Sequence, residues 1–344
     1  MATWGEVERE LLATRLPNGA PDFDSVRRRY LAELSLHTAR STIVYETAGF
    51  SPPQGVAPDD VSITLDPDVG AFMEVVHGLP RDVPLDLILH SPGGTAEAAE
   101  AIVEYLRGRF DEFRVIVPIA AMSAATMVAM AADEIVMGAH SQLGPIDPQL
   151  TIATPEGPRS APAAAIRAQF VEARSDLKEH PEHTAAWLPI LRSMAPALLQ
   201  LCEDAEKLSK SMVTDWLSRY MFRDHDEPQR DAEIAADALS DYSSFMSHAR
   251  RLGVGRLREL GIKVVDLESD DKLQDLVLSV HHAVNHTMNH TGVVKLVENN
   301  QGKTFVRRVA GLAVQVGPPG QAPVPQPNRQ QRRQADRDHR KRPS

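Results

Sequence analysis

The chain carries one cysteine, Cys202, in 344 residues. That excludes an internal disulfide and any multi-cysteine zinc ribbon and fits a reducing compartment, with Cys202 itself read as a small buried residue in a helix. No apolar run approaches the roughly 20 residues of a membrane span. The opening Met1-Ala2-Thr3-Trp4-Gly5-Glu6-Val7-Glu8-Arg9-Glu10 lacks both a basic start and an apolar core of signal-peptide length. A soluble, cytoplasmic protein is expected. Positive charge is in deficit: 37 Lys and Arg stand against 47 Asp and Glu, a formal net charge of -10 that argues against a general nucleic-acid binder. No Gly-x-Gly-x-x-Gly turn follows a strand pattern, which leaves a nicotinamide cofactor without support, and no Walker Gly-x-x-x-x-Gly-Lys motif provides an ATP motor. There is no internal repeat.

What is present suits a globular chain. The 42% hydrophobic content is ordinary for a sizeable core and predicts one main domain with helical additions. Residues 1–59 read as an N-terminal helical and strand extension, with Val26, Tyr30, Leu31, Leu34 and Leu36 set among charges and a strand over 41–45. From 60 to 160, strand patterns at 62–65, 85–90, 114–118 and 134–137 alternate with helical patterns at 69–78 and 96–110 and a helix headed by Ser123. Such alternation marks an α/β layer with parallel strands and crossover helices. Residues 161–317 are mainly helical in pattern, notably 187–222 and 270–300, with a short strand at 263–266, and offer candidate oligomer interfaces. From 318 to 344 the chain is rich in Pro, Gln and Arg, which predicts a disordered basic tail.

The stretch 85–149 holds the chemistry. The run Leu85-Asp86-Leu87-Ile88-Leu89-His90 ends in Ser91-Pro92-Gly93-Gly94, a strand feeding a tight turn whose glycines let the backbone present bare N–H groups to a ligand. The run Arg114-Val115-Ile116-Val117-Pro118 leads to Ser123, at the head of a small, apolar, helix-like run. Unpaired N–H groups and the positive dipole end of such a helix favour an alkoxide at its first residue. Between the two motifs lies enough chain for a helix, a turn and a strand, so they can meet at adjacent strand ends. Each supplies half of an acyl-transfer site.

Ser91-Pro92-Gly93-Gly94, Met122-Ser123-Ala124, Ala131-Ala132-Asp133-Glu134-Ile135-Val136-Met137 and Leu143-Gly144-Pro145-Ile146-Asp147-Pro148-Gln149 together resemble the core of the Clp-protease and signal-peptide-peptidase-A superfamily. Within it the sequence is most similar to the serine dehydrogenase proteinase family. The likeness continues through Ala186-Trp187-Leu188-Pro189-Ile190-Leu191, Ser247-His248 and Leu273-Gln274-Asp275-Leu276-Val277-Leu278. It implies a crotonase-like (Clp-protease-like) α/β fold, a ββα superhelix flanked by N- and C-terminal helices, and assembly into a homo-oligomer. It also implies Ser123 as nucleophile, an oxyanion hole from the backbone N–H groups of Gly94 and Ala124, and Gly93 beside the substrate. The implied activity is ATP-independent serine endopeptidase action on peptides or unfolded chains, with no cofactor.

A serine hydroxyl is a poor nucleophile until a neighbour takes its proton. Clp-type peptidases supply a histidine after the strand that follows the serine helix; here Asp147, within Pro145-Ile146-Asp147-Pro148, stands in its place. Signal-peptide-peptidase-A enzymes draw a lysine from beyond the core, and comparable spacing makes Lys178 the first candidate base. Its flanking Asp176, Glu179 and His180 equally suit an exposed helix residue. Lys207 and Lys210 are further lysines to weigh. His248 with Asp147 as orienting carboxylate is the second arrangement. His140 reads as a solvated turn residue.

His282, His286 and His290 recur every four residues, with His281 adjacent, so three imidazoles share one helix face. No acidic residue between them provides the base of a zinc peptidase, so no metal is expected and the helix reads as a packing or assembly element. Two other functions fit the same motifs. A CoA-thioester hydratase or hydrolase uses a similar two-amide hole for an enolate, and an inactive or regulatory assembly protein retains the fold to bind peptide.

Overall fold

The computed structural model describes residues 3–154, 157–194, 196–241 and 251–309. His248 and the expected basic tail at 318–344 lie outside the described residues. In chain order the protein runs α1 (Trp4–Ala13), α2 (Phe23–Thr38), β1 (Ser41–Thr47), α3 (Pro58–Val61), α4 (Leu65–Val76), β2 (Leu85–His90), α5 (Ala96–Arg107), β3 (Phe113–Val117) and β4 (Ala120–Ala121). It continues with α6 (Ala124–Met130), β5 (Glu134–Met137), β6 (Gln142–Leu143), β7 (Gln149–Thr154), β8 (Gly157–Pro162), α7 (Ala163–Glu179), α8 (Thr184–Arg192), α9 (Leu198–Arg219) and α10 (Pro228–Ser240). The last elements are α11 (Val254–Glu259), β9 (Val264–Asp266), α12 (Asp271–His290), β10 (Val293–Asn299) and β11 (Thr304–Arg308).

Two-sided burial of the strands sets the architecture. Ile43, Tyr45, Leu87, Leu89, Val115 and Val117 point into one core, packed by α4, α5, α6, α9 and α10. The residues between them, Val44, Ile88 and Ile116, together with Val136, enter a second core built with α1, α2 and α12. A strand alternates its side chains, so a sheet covered on both faces needs apolar residues at every position, which is how these runs read. The seven strands lie in the order β11-β10-β1-β2-β3-β5-β9. β1, β2, β3, β5 and β9 are parallel, while β10 and β11 are antiparallel additions at one edge. The α/β class expected from the alternating pattern is therefore the one observed.

Short pairings after the main strands form a second layer. Ile63 bridges Gly94, Ser91 bridges Ala121, β4 pairs with β6, and Leu143 bridges Leu252. Each unit thus runs main strand, short pairing, helix: β2, then 91–94, then α5; β3, then β4, then α6. This is the expected ββα repeat, and it carries both sequence motifs in the short layer.

Three local expectations change. The segment 1–59, expected as an extension, contributes β1 beside β2 in the middle of the sheet. The 62–65 run is not a full strand, because Ile63 makes a single bridge and α4 starts at Leu65. The 270–300 helix stops at His290, and Val293–Asn299 forms the buried strand β10. Its charges mask a strand. Lys295 Nζ is held by Asp68 at 2.8 and 2.9 Å and by the Ser62 carbonyl at 2.7 Å, while Glu298 accepts from Arg27 Nε at 2.5 Å and Arg28 Nε at 2.8 Å. Once paired and hydrogen-bonded, these charges are tolerated in the core.

Candidate active site

The Ser91–Gly94 turn meets the Ser123 segment through backbone ladders. Ser91 N–H donates to the Ala120 carbonyl at 3.1 Å and Met122 N–H to the Ser91 carbonyl at 3.0 Å. On the other side, Ile63 N–H donates to the Gly93 carbonyl at 2.7 Å and Thr95 N–H to the Ile63 carbonyl at 3.0 Å. In a parallel bridge of this kind the flanking residues make both bonds, so the Gly94 N–H is turned away from Ile63. Only glycine fits at 94, since an added Cβ would stand 1.9 Å from the Ile63 carbonyl oxygen. Gly93 takes φ +101°, and its N–H is held by Ser91 Oγ at 3.2 Å.

Ser123 precedes α6 in a sharp turn, with φ 51° and ψ -120°. A non-glycine residue with such angles is rare and strained, and strain of this type is maintained only where the surroundings over-determine it. Thr126, one turn into α6, helps do so. Its Oγ1 donates to the Ala121 carbonyl at 2.8 Å and accepts from Gly144 N–H at 3.0 Å, tying the helix to both neighbouring segments. Ala125 N–H goes to the Met122 carbonyl and Met127 N–H to that of Ser123. Among the described residues, neither the Ala124 N–H nor the Gly94 N–H makes a hydrogen bond.

Ser123, Ala124, Gly93 and Gly94 line one cavity of about 740 Å³, within the size range of ligand sites. Met127 and Ile146 form its apolar floor, and α9 closes the far wall with Leu201, Ala205 and Leu208. No sequence motif singles out the α9 wall. Its signal is present as apolar residues at spacings of four and three, but the same stripe suits any packed helix. Exposed Glu97 and Asp204 place carboxylates at the rim.

Among the described residues, the expected bases are not gathered here. Ser123 Oγ has no hydrogen-bond partner among the described residues. Lys178 is exposed near the C-terminal end of α7 and is not part of the cavity wall, so the expected Ser123–Lys178 contact is not formed. Lys207 pairs with Glu203 at 2.6 Å and Lys210 with Asp237 at 2.5 Å. The Glu203 carboxylate raises the Lys207 pKa, opposite to what a neutral lysine base requires. Asp147 is buried and accepts from Gln149 Nε2 at 3.0 Å, with Gln149 on the cavity wall. His140 is exposed on its turn, as expected, with Nε2 donating to the Pro118 carbonyl at 3.0 Å.

Behind the turn lies a buried titratable group of residues that the sequence motifs do not flag. Glu46 sits opposite His90 in the β1–β2 register, and His281 Nδ1 approaches both Glu46 oxygens at 3.0 Å. Burial pushes the Glu46 carboxyl up to about 8 and the His90 and His281 rings down to about 4. His90 directly precedes Ser91, so this group backs the segment that positions Gly93 and Gly94.

Ser123, on a strained turn at the head of α6, thus lines one cavity with Gly94 and Ala124, whose N–H groups make no hydrogen bond among the described residues. Residues 62–182 match the model of the family described as ClpP-like SDH-type serine proteinase. Two uncharacterized proteins of Methanocaldococcus jannaschii are similar. One is 46% identical over 88 residues, 26% of this chain and 30% of its own length; the other is 30% identical over 202 residues, 59% of each. The chain thus spans less than two thirds of these relatives. Among solved structures, it is similar to a point mutant of 1510-N, a membrane-bound stomatin-specific protease. The TM-score is 0.33 at 17% identity, over 60% of this chain and 77% of that one. It is also similar to a point mutant of ClpP1 from Listeria monocytogenes, with TM-score 0.33 at 14% identity over 71% and 98%. Among the described residues, no helix is long and apolar enough to cross a membrane.

Proposed function

We propose that the protein is an ATP-independent serine endopeptidase. A base takes the Ser123 hydroxyl proton as Oγ attacks the carbonyl carbon of a peptide bond, the carbonyl oxygen becomes an oxyanion held by the N–H groups of Gly94 and Ala124, and the base returns the proton to the amine as the C–N bond breaks and the acyl-enzyme forms. Water then releases the acid and restores Ser123. The observation that carries this reading is the pair of unbonded donors beside the strained Ser123 turn, since donors fixed in advance contribute about 3–4 kcal/mol each to stabilising such an adduct. The family match over 62–182 supports the same class. Gly93 borders the reacting carbonyl, and the apolar floor of Met127 and Ile146 receives a substrate side chain. Substrates are peptides or unfolded chains, and the working form is a cytoplasmic homo-oligomer.

The base is assigned between two candidates from the sequence. The exposed position of Lys178 away from the cavity weighs against a Ser123–Lys178 dyad within one chain, and His248 with Asp147 is the competing arrangement. Fluorophosphonate labelling of wild type, Ser123→Ala, Lys178→Ala and His248→Ala tests the whole reading. Labelling of wild type and its loss in Ser123→Ala is the expected result, and the second loss identifies the base. Absence of labelling in intact wild-type protein would favour the peptide-binding, non-catalytic alternative; a Ser123-independent activity on a CoA thioester would favour the hydratase.

A further inference from the structure

We infer that Glu8, His286 and His290 form a binding site for a divalent transition metal of the zinc class, fastening α1 to α12. The three histidines that share a helix face in the sequence do not converge as a set. The Nδ1 of His282 has no partner among the described residues, and its ring packs edge-on against Trp4 at 5.3 Å. Glu8, from the opposite end of the chain, takes its place. One ligand atom from each of Glu8, His286 and His290 lies within 4.8 Å of the others.

The orientation of His286 is the main argument. Its Nε2 lies 3.1 Å from the Trp4 carbonyl oxygen, which can only accept, so the proton is on Nε2 and the lone pair is on Nδ1. That Nδ1 faces Glu8 Oε1 at 3.9 Å, and His290 Nε2 faces the same oxygen at 3.3 Å. A backbone carbonyl that fixes the ring and tautomer of a histidine is the usual support behind a metal-bound imidazole. Zinc ligands at about 2.0–2.2 Å from the ion stand roughly 3.3 Å apart across a tetrahedron, so the set needs only small adjustments. The Trp4 ring at 4.0 Å and the Phe23 ring at 5.7 Å hold the two imidazoles in place. Glu8 and His290 are partly exposed, which gives an ion access from solvent and leaves a position for water.

Two nitrogens and one carboxylate oxygen suit zinc or cobalt rather than calcium or magnesium, which prefer all-oxygen shells. The full chain, purified without a histidine tag and stripped with a chelator, is titrated with zinc and with cobalt. One zinc per chain, and cobalt absorption bands typical of four or five ligands, are expected. Glu8→Gln and His290→Ala should each weaken binding roughly tenfold or more, with unchanged circular dichroism. The exposed His180, Glu182 and His183 are also close together, so His183→Ala serves as the control and should leave binding unchanged. Failure of wild type to take up either metal overturns the proposal, as does uptake that survives both Glu8→Gln and His290→Ala or is lost in His183→Ala.

Discussion

Gly93 packs so closely against Ser123 that a Cβ on Gly93 would stand 2.8 Å from the Ser123 Cβ and 2.5 Å from the Met122 carbonyl oxygen. The backbone at 93 also has positive φ, so Gly93→Ala meets both a clash and strain of about 1–3 kcal/mol. The chain can relieve these by withdrawing the turn that carries the Gly94 N–H. The variant is expected to stay folded by circular dichroism while fluorophosphonate labelling slows by about 100-fold or more, the scale of losing one oxyanion donor. Labelling at the wild-type rate would contradict a shared pocket.

Strain at Ser123 should be measurable as stability. Its Oγ makes no hydrogen bond among the described residues, so Ser123→Ala removes no contact and should shift unfolding by less than about 0.5 kcal/mol. Ser123→Gly relieves the positive φ and is expected to raise stability by about 1 kcal/mol in urea unfolding. A destabilised glycine variant would show that the turn is unstrained.

Thr126→Val keeps the shape of a fully buried side chain and removes its hydroxyl. The Gly144 N–H then loses its acceptor and the Ala121 carbonyl loses a donor, a cost of about 1–3 kcal/mol for buried groups. Urea unfolding measures that loss. A change within error would mean that water or a shift of the 143–144 loop replaces the hydroxyl.

The buried group behind β2 predicts a specific pH dependence. The folded Glu46 carboxyl titrates at about 8, above its ordinary 4.5, so the stability it contributes is complete below 4.5 and is lost as pH rises through 8. His90 and His281 are lowered to about 4, so their contribution is complete above 6.5 and is lost as pH falls through 4. Glu46→Gln should therefore match wild type near pH 4.5 and exceed it above pH 8, with the acid-side loss retained. Urea midpoints across that range check the sign, and a glutamine variant that is less stable at pH 8 would reverse the Glu46 assignment.

How much is legible in the chain differs between elements. β2, β3 and β5 are readable because burial on both faces forces three consecutive apolar residues in each, at 87–89, 115–117 and 135–137, and α5 because Ala98, Ile102 and Leu106 fall on one face. β10 is hidden because Lys295 and Glu298 break its run, and their partners Asp68 and Arg27 are remote in sequence. Lys178 is a candidate from the family likeness and its spacing after Ser123, and neither sets the direction in which α7 carries it.

The order of the motifs, the glycine-only corner at 93–94 and the small residues heading α6 are properties of the chain itself, because each depends on local backbone sterics and on what a strand or helix must bury. The convergence of groups from distant segments was decided only in three dimensions: α9 as the cavity wall, Glu46 with His90 and His281, and Glu8 rather than His282 beside His286 and His290. The reason is physical. Local sequence specifies the angles of a segment, whereas the meeting of remote side chains follows from how helices pack across a sheet, which no single segment encodes.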